Sequence, residues 1–226
     1  VPTIFQPAAA LVHTLSTLFP KGDDAWEREL THFLDEAVTD VASFDELDMV
    51  EAAGIALAQI HLDRHNRQDA HRVLVNLLER ARGFQLRGPL QEAVLTLARI
   101  EVDLGHHDDA ERRLRTLRYD PRPIADRARL LLGTIATSRQ EPWCEDILEE
   151  CVAHLTQPND RSEALLLLGE RYLLQDRHND AQSAFNEALN IARAGEEPSL
   201  IARATLGLGD VFRTTGKLVE AAETYQ

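Results

Sequence analysis

Apolar residues recur three and four positions apart along most of this chain, and short polar segments separate these runs. The clearest case is residues 161–226, where the same order of residue types returns after forty positions: Leu168 and Gly169 correspond to Leu208 and Gly209. Residues three and four apart share one face of an α-helix, and a glycine beside them lets a second helix approach closely. The pattern therefore predicts successive pairs of antiparallel helices.

Columns of equivalent residues extend this pattern over five segments of the chain. The first column is a leucine followed by a small residue, at Leu57-Ala58, Leu97-Ala98, Leu132-Gly133, Leu168-Gly169 and Leu208-Gly209. The second helix opens with Ala70, Ala110, Cys144, Ala181 or Ala221, and a large residue follows at Leu74, Leu114, Leu148, Phe185 or Tyr225. A single hairpin cannot bury both of its apolar faces, so neighbouring hairpins must stack on it. We predict an all-α fold, an α-α superhelix (solenoid) of antiparallel helix hairpins.

The columns of equivalent residues also predict where each repeat begins. Repeats begin near residues 51, 91, 126, 162 and 202, and a proline precedes each of the last four, at Pro89, Pro123, Pro158 and Pro198. We therefore predict an N-terminal helical hairpin, a cap or degenerate repeat, at 1–42 and five repeats at 43–226. In the N-terminal hairpin the predicted apolar faces are Leu11, Leu15 and Leu18 on the first helix and Trp26, Leu30, Phe33, Leu34 and Ala37 on the second. The fifth repeat is truncated within its second helix, so we expect the full protein to continue or another chain to cover this edge.

These residues resemble the tetratricopeptide repeat. The spacings of 40, 35, 36 and 40 residues between repeats are similar to those in MalT-like activators and related bacterial multidomain regulators. The chain departs from the family pattern where an aromatic residue is expected three places after the small residue. His61, Glu101 and Ala136 occupy that place in the first three repeats.

The resemblance implies a concave groove that is lined by the first helix of each hairpin and binds a partner. A second row of groove positions includes Arg127, Glu163 and Arg203. The residues that we predict to contact the partner are polar or charged: Gln59, Asp63, Arg99, Asp103, Arg127, Glu170, Arg203, Asp210 and Arg213. The arginines are suited to forked hydrogen bonds with a partner's carboxylates.

Charge and composition exclude several classes of protein. The chain has 24 basic and 38 acidic residues, a net charge of -14, which argues against a nucleic-acid-binding surface. No apolar run approaches eighteen residues, so we predict no membrane segment. Cys144 and Cys151 lie seven residues apart on one predicted helix, too far for a disulfide bond, and we interpret both as small core residues in a reducing, cytoplasmic compartment.

The sequence contains few residues in patterns that suit metal binding or catalysis. Four of the nine histidines fall in predicted turns, at His65, His106, His107 and His178. His61 and His65 have a spacing that suits a shared metal, but polar turns explain these histidines without one. No phosphate-binding loop, nucleophile elbow or zinc-finger cysteine pair is present. We predict no metal site, no cofactor and no enzyme activity in these residues, and an attached catalytic domain outside them stays open.

Three functional hypotheses follow. The first is a protein–protein interaction scaffold that binds a peptide or helix of a partner in the groove. The second is a regulatory sensor segment of a larger bacterial signalling or transcription protein, which responds to a ligand or a neighbouring domain of the same polypeptide and controls an attached output domain. The third is a homo-oligomer formed through exposed repeat edges.

Overall fold

The computed structural model describes residues 24–37, 44–81, 90–117 and 122–225. The regular structure of these residues consists of eleven α-helices and contains no β-strand. The helices are α1 (Asp24–Ala37), α2 (Phe44–Asp63), α3 (Arg67–Ala81), α4 (Gln91–Asp103), α5 (His107–Thr116), α6 (Arg122–Ser138), α7 (Cys144–His154), α8 (Pro158–Leu174), α9 (His178–Ala194), α10 (Pro198–Thr214) and α11 (Leu218–Thr224). The predicted all-α fold of the α-α superhelix class is confirmed.

The chain forms two compact units, Val1–Leu117 and Arg118–Gln226, which we call unit 1 and unit 2. In unit 1, α2 pairs with α3 and α4 pairs with α5, while α1 packs on α2. Trp26, Leu30 and Leu34 of α1 are buried in its core, as their spacing predicts. Leu11 and the two other leucines of the predicted first N-terminal helix lie outside the described residues.

Unit 2 contains three hairpins, α6–α7, α8–α9 and α10–α11, and one large cluster of buried apolar residues runs from α6 to α10. Phe185 of α9 is the largest of its fully buried side chains, at 1% exposure. Its ring fits between two glycines: a Cβ atom at Gly169 of α8 or at Gly207 of α10 would lie 2.6 or 2.5 Å from Phe185 Cε1. Both helices approach the ring so closely because their glycines have no side chain. Phe185 therefore joins the α8–α9 hairpin to α10.

Two further glycines of the column have the same role within their own hairpins. A Cβ atom at Gly133 of α6 would lie 2.6 Å from Leu148 Cδ2 on α7. The ring of Tyr225 packs against Gly209 of α10, although the tyrosine remains 44% exposed. In each pair the small residue makes room for the large residue of the second helix, as the columns predict.

The turns within the hairpins contain residues in the left-handed backbone conformation. His65 lies between α2 and α3 with φ of 60°, and Gly105 and Gly216 hold the equivalent place in other turns with φ of 77° and 78°. This left-handed conformation closes a helix and is adopted readily by glycine. His65 is therefore a turn residue whose place glycine takes in other hairpins.

Both cysteines are free and buried, as predicted. Cys144 begins α7 in the place of the column alanine and is 0% exposed, while Cys151 on the same helix is 3% exposed. Burial raises the pKa of the Cys151 thiol to about 12. A thiol that stays protonated is a weak nucleophile, so its role is packing.

Glu51 of α2 links the two hairpins of unit 1. Its Oε1 accepts a hydrogen bond from the backbone N–H of Ala93, at 2.8 Å, in the first turn of α4. The residue before α4, Leu90, supplies no side-chain cap, so a carboxylate from the preceding hairpin satisfies this free donor. Loss of hydration nevertheless raises the pKa of Glu51 to about 7, and the nearby Glu92 and Asp48 add to the rise.

Replacing Glu51 with glutamine is expected to remove part of the pH dependence of unit 1. A folded-state pKa raised from 4.5 to about 7 contributes stability that is present below pH 4.5 and is lost as the pH rises through 7. Glutamine keeps an oxygen acceptor without the charge. Glu51→Gln should therefore match the wild type near pH 4 and exceed it by about 1–3 kcal/mol at pH 8.

Urea unfolding can measure this difference through Trp26, which is buried in unit 1, in a Trp143→Phe background. A stability difference between the two proteins that is independent of pH would contradict the prediction, and so would a less stable Glu51→Gln protein at pH 8.

Candidate functional site

Four of the predicted partner-contacting residues lie in unit 1. Gln59 and Asp63 are exposed on α2, where the Gln59 amide donates a hydrogen bond of 2.8 Å to Asp63 Oδ1. Arg99 and Asp103 are exposed on α4, the first helix of the next hairpin, which packs against α2. Asp103 Oδ2 is 3.9 Å from Arg67 Nε, and no described residue forms an ion pair with Arg99. Each helix thus presents polar side chains to solvent, and Arg99 has no ion-pair partner among the residues that the structure describes.

In unit 2 the structure brings three of the groove positions together. Arg203 of α10 reaches two carboxylates of α8, with Nη1 3.2 Å from Glu163 Oε1 and Nη2 3.7 Å from Glu170 Oε1. All three side chains are partly exposed, at 40%, 38% and 49%. The first helices of adjacent hairpins therefore share one charged surface here, in which a single guanidinium serves two carboxylates.

The carboxylate of Glu170 is incompletely compensated. Loss of hydration raises its pKa above the usual value, Arg203 opposes this rise, and the charge of Glu163 adds to it. A carboxylate in this state gains from any further donor or cation that approaches it.

Asp210 and Arg213 form a second charged group, at the end of α10. Arg213 donates to Asp210 Oδ1 from Nε and Nη2, at 3.2 and 3.0 Å. The hydroxyl of Tyr225 donates to the same oxygen at 2.9 Å. The columns place the Tyr225 ring against Gly209 but do not predict this hydrogen bond, which depends on the position of the hydroxyl. Arg127, the remaining predicted residue, lies half-buried on α6.

Glu101 occupies the place where the family pattern has an aromatic residue, and it is buried at 1% exposure. Arg113 of α5 donates to both of its carboxylate oxygens from Nε, at 2.9 and 3.1 Å. His71 Nε2 of α3 lies 3.5 Å from Oε1, and the His71 ring meets that of His106 edge to face at 5.8 Å. The pairing with Arg113 and the burial indicate a structural ion pair that joins three helices.

No metal centre is evident among the described side chains. The residues in the four described ranges contain no group of three or more histidine, cysteine or acidic residues placed to hold a metal ion. His61, one of the pair with metal-binding spacing, lies 3.9 Å from Glu27 of α1. Where the structure describes the chain, none of its helices combines the length and the apolar character that a membrane crossing requires.

Family models described as tetratricopeptide repeat match residues 95–142 and 160–226, together just over half of the chain. No curated protein sequence matches the chain closely enough to count as a relative.

Several solved structures share its fold. The crystal structure of BtubC from P. vanneervenii is 16% identical, covers 88% of this chain and 86% of its own, and has a TM-score of 0.70. MamA is 19% identical with a TM-score of 0.52, over 75% of this chain and 90% of its own. The STAND signal transduction ATPase with a tetratricopeptide repeat sensor from Pyrococcus horikoshii is 19% identical with a TM-score of 0.58, over 96% of this chain and 34% of its own.

Tetratricopeptide repeats generally mediate protein–protein interactions, and the fold is typically non-catalytic. The repeat columns, the stacked hairpins and the family matches agree with one another. The chain belongs to the tetratricopeptide repeat family.

Proposed function

We propose that this chain is a non-catalytic scaffold that binds a peptide or helix of a partner protein on the exposed faces of its first helices. The observation that carries the proposal is the contact of Arg203 with Glu163 and Glu170 across α8 and α10. Residues that the resemblance to the tetratricopeptide repeat assigns to the groove meet on one surface there, and their side chains are partly exposed.

The ion pairs on this surface can be replaced by ion pairs with a partner protein at little cost in free energy. Ion pairs between exposed side chains contribute only about 0–1 kcal/mol, because hydration and side-chain entropy oppose them. A partner's own carboxylate can therefore take Arg203 at little cost, and a partner's cation can take Glu170. The planar guanidinium adds specificity through paired hydrogen bonds.

Site-specific photocrosslinking tests the proposal. A photoreactive amino acid at Gln59 of α2 or at Glu170 of α8 should capture a protein from the native cells, identified by mass spectrometry. The same group at Arg112, which is exposed on the second helix α5, should not capture that protein. Capture from the second helix alone would contradict the proposal.

Charge reversal of Arg99 is expected to weaken binding of the captured partner by about tenfold, equivalent to 1.4 kcal/mol. No described residue pairs with Arg99, so Arg99→Glu should change the free energy of unfolding by less than about 0.5 kcal/mol. The matched control is Arg112→Glu on α5, which should leave binding unchanged. Equal losses in the two variants would show that net charge, not the first-helix surface, sets the affinity.

The sensor hypothesis predicts a different result. A regulatory segment that responds to a small ligand should change its radius of gyration in X-ray scattering when that ligand is added, whereas a scaffold should not. Signalling, transcriptional control, and a bacterial and cytoplasmic setting belong to the sensor hypothesis. Self-association through exposed repeat edges is the third hypothesis, and sedimentation of the chain tests it.

A further inference from the structure

We draw no further inference here: the strongest candidate, the apolar surface of the α10–α11 hairpin where Leu206, Leu218 and Tyr225 are exposed, carries no proposal because nothing in the structure shows what covers it.

Discussion

Phe185→Ala is expected to lower the free energy of unfolding of unit 2 by about 3–5 kcal/mol, the usual cost of removing a fully buried aromatic ring. The ring is 1% exposed and occupies the space between Gly169 and Gly207. Since neither glycine has a side chain to fill the void, the helices around it cannot compensate without moving. Unfolding in urea, followed by Trp143 in a Trp26→Phe background, measures the loss.

A double-mutant cycle with Gly207→Ala tests whether the Phe185 ring packs directly against Gly207. It separates that contact from the general effect of removing apolar volume from the core. Alone, the added Cβ meets three ring atoms of Phe185 at 2.5–2.6 Å and should cost about 1–3 kcal/mol. In the Phe185→Ala background the clash disappears, and the higher helix propensity of alanine should stabilise α10 by up to about 1 kcal/mol. Additive effects of the two substitutions would show that the ring and the glycine do not interact.

Arg113→Ala is expected to lower the free energy of unfolding of unit 1 by about 3–5 kcal/mol, because it leaves the buried carboxylate of Glu101 without its main partner. Arg113 supplies two hydrogen bonds to that carboxylate, whereas His71 remains 3.5 Å away. Replacing both Glu101 and Arg113 should lower the free energy of unfolding by less. The double variant Glu101→Leu/Arg113→Leu should lose less than half as much as Arg113→Ala, because no charge is then buried.

Trp26 fluorescence in a Trp143→Phe background reports this unfolding. Arg115→Ala is the matched control on the same helix: Arg115 is 66% exposed and pairs with Glu111 four residues earlier, so its loss should cost less than about 0.5 kcal/mol. Similar losses for Arg113→Ala and Arg115→Ala would contradict the structural role of the buried pair.

The helix pairs could be predicted because their packing recurs along the chain. A leucine, a small residue, an alanine and a large residue at fixed spacing specify how two helices meet, and the glycines at positions 133, 169 and 209 meet the large residues that their columns assign to them. The burial of Cys144 follows from the same rule, since it stands where the column has alanine.

Contacts between hairpins could be predicted only in part. Gly207 lies outside the columns, so its place against Phe185 was not anticipated. The pairs Glu51–Ala93 and Glu101–Arg113 depend on the distance between neighbouring helices and on side-chain rotamers, which no periodic pattern encodes. The resemblance to the tetratricopeptide repeat implied that Glu170 and Arg203 lie in the groove, but the sharing of Arg203 by two carboxylates is visible only in three dimensions. Its use in binding stays a prediction.

Hydrogen–deuterium exchange of the full chain, with and without the protein captured by crosslinking from Gln59, tests whether the first helices form the binding surface. We expect the partner to slow exchange in the first helices α2, α4, α6, α8 and α10, with the largest effect around Arg99 and Glu170. Slower exchange confined to the second helices α3, α5, α7, α9 and α11 would contradict it.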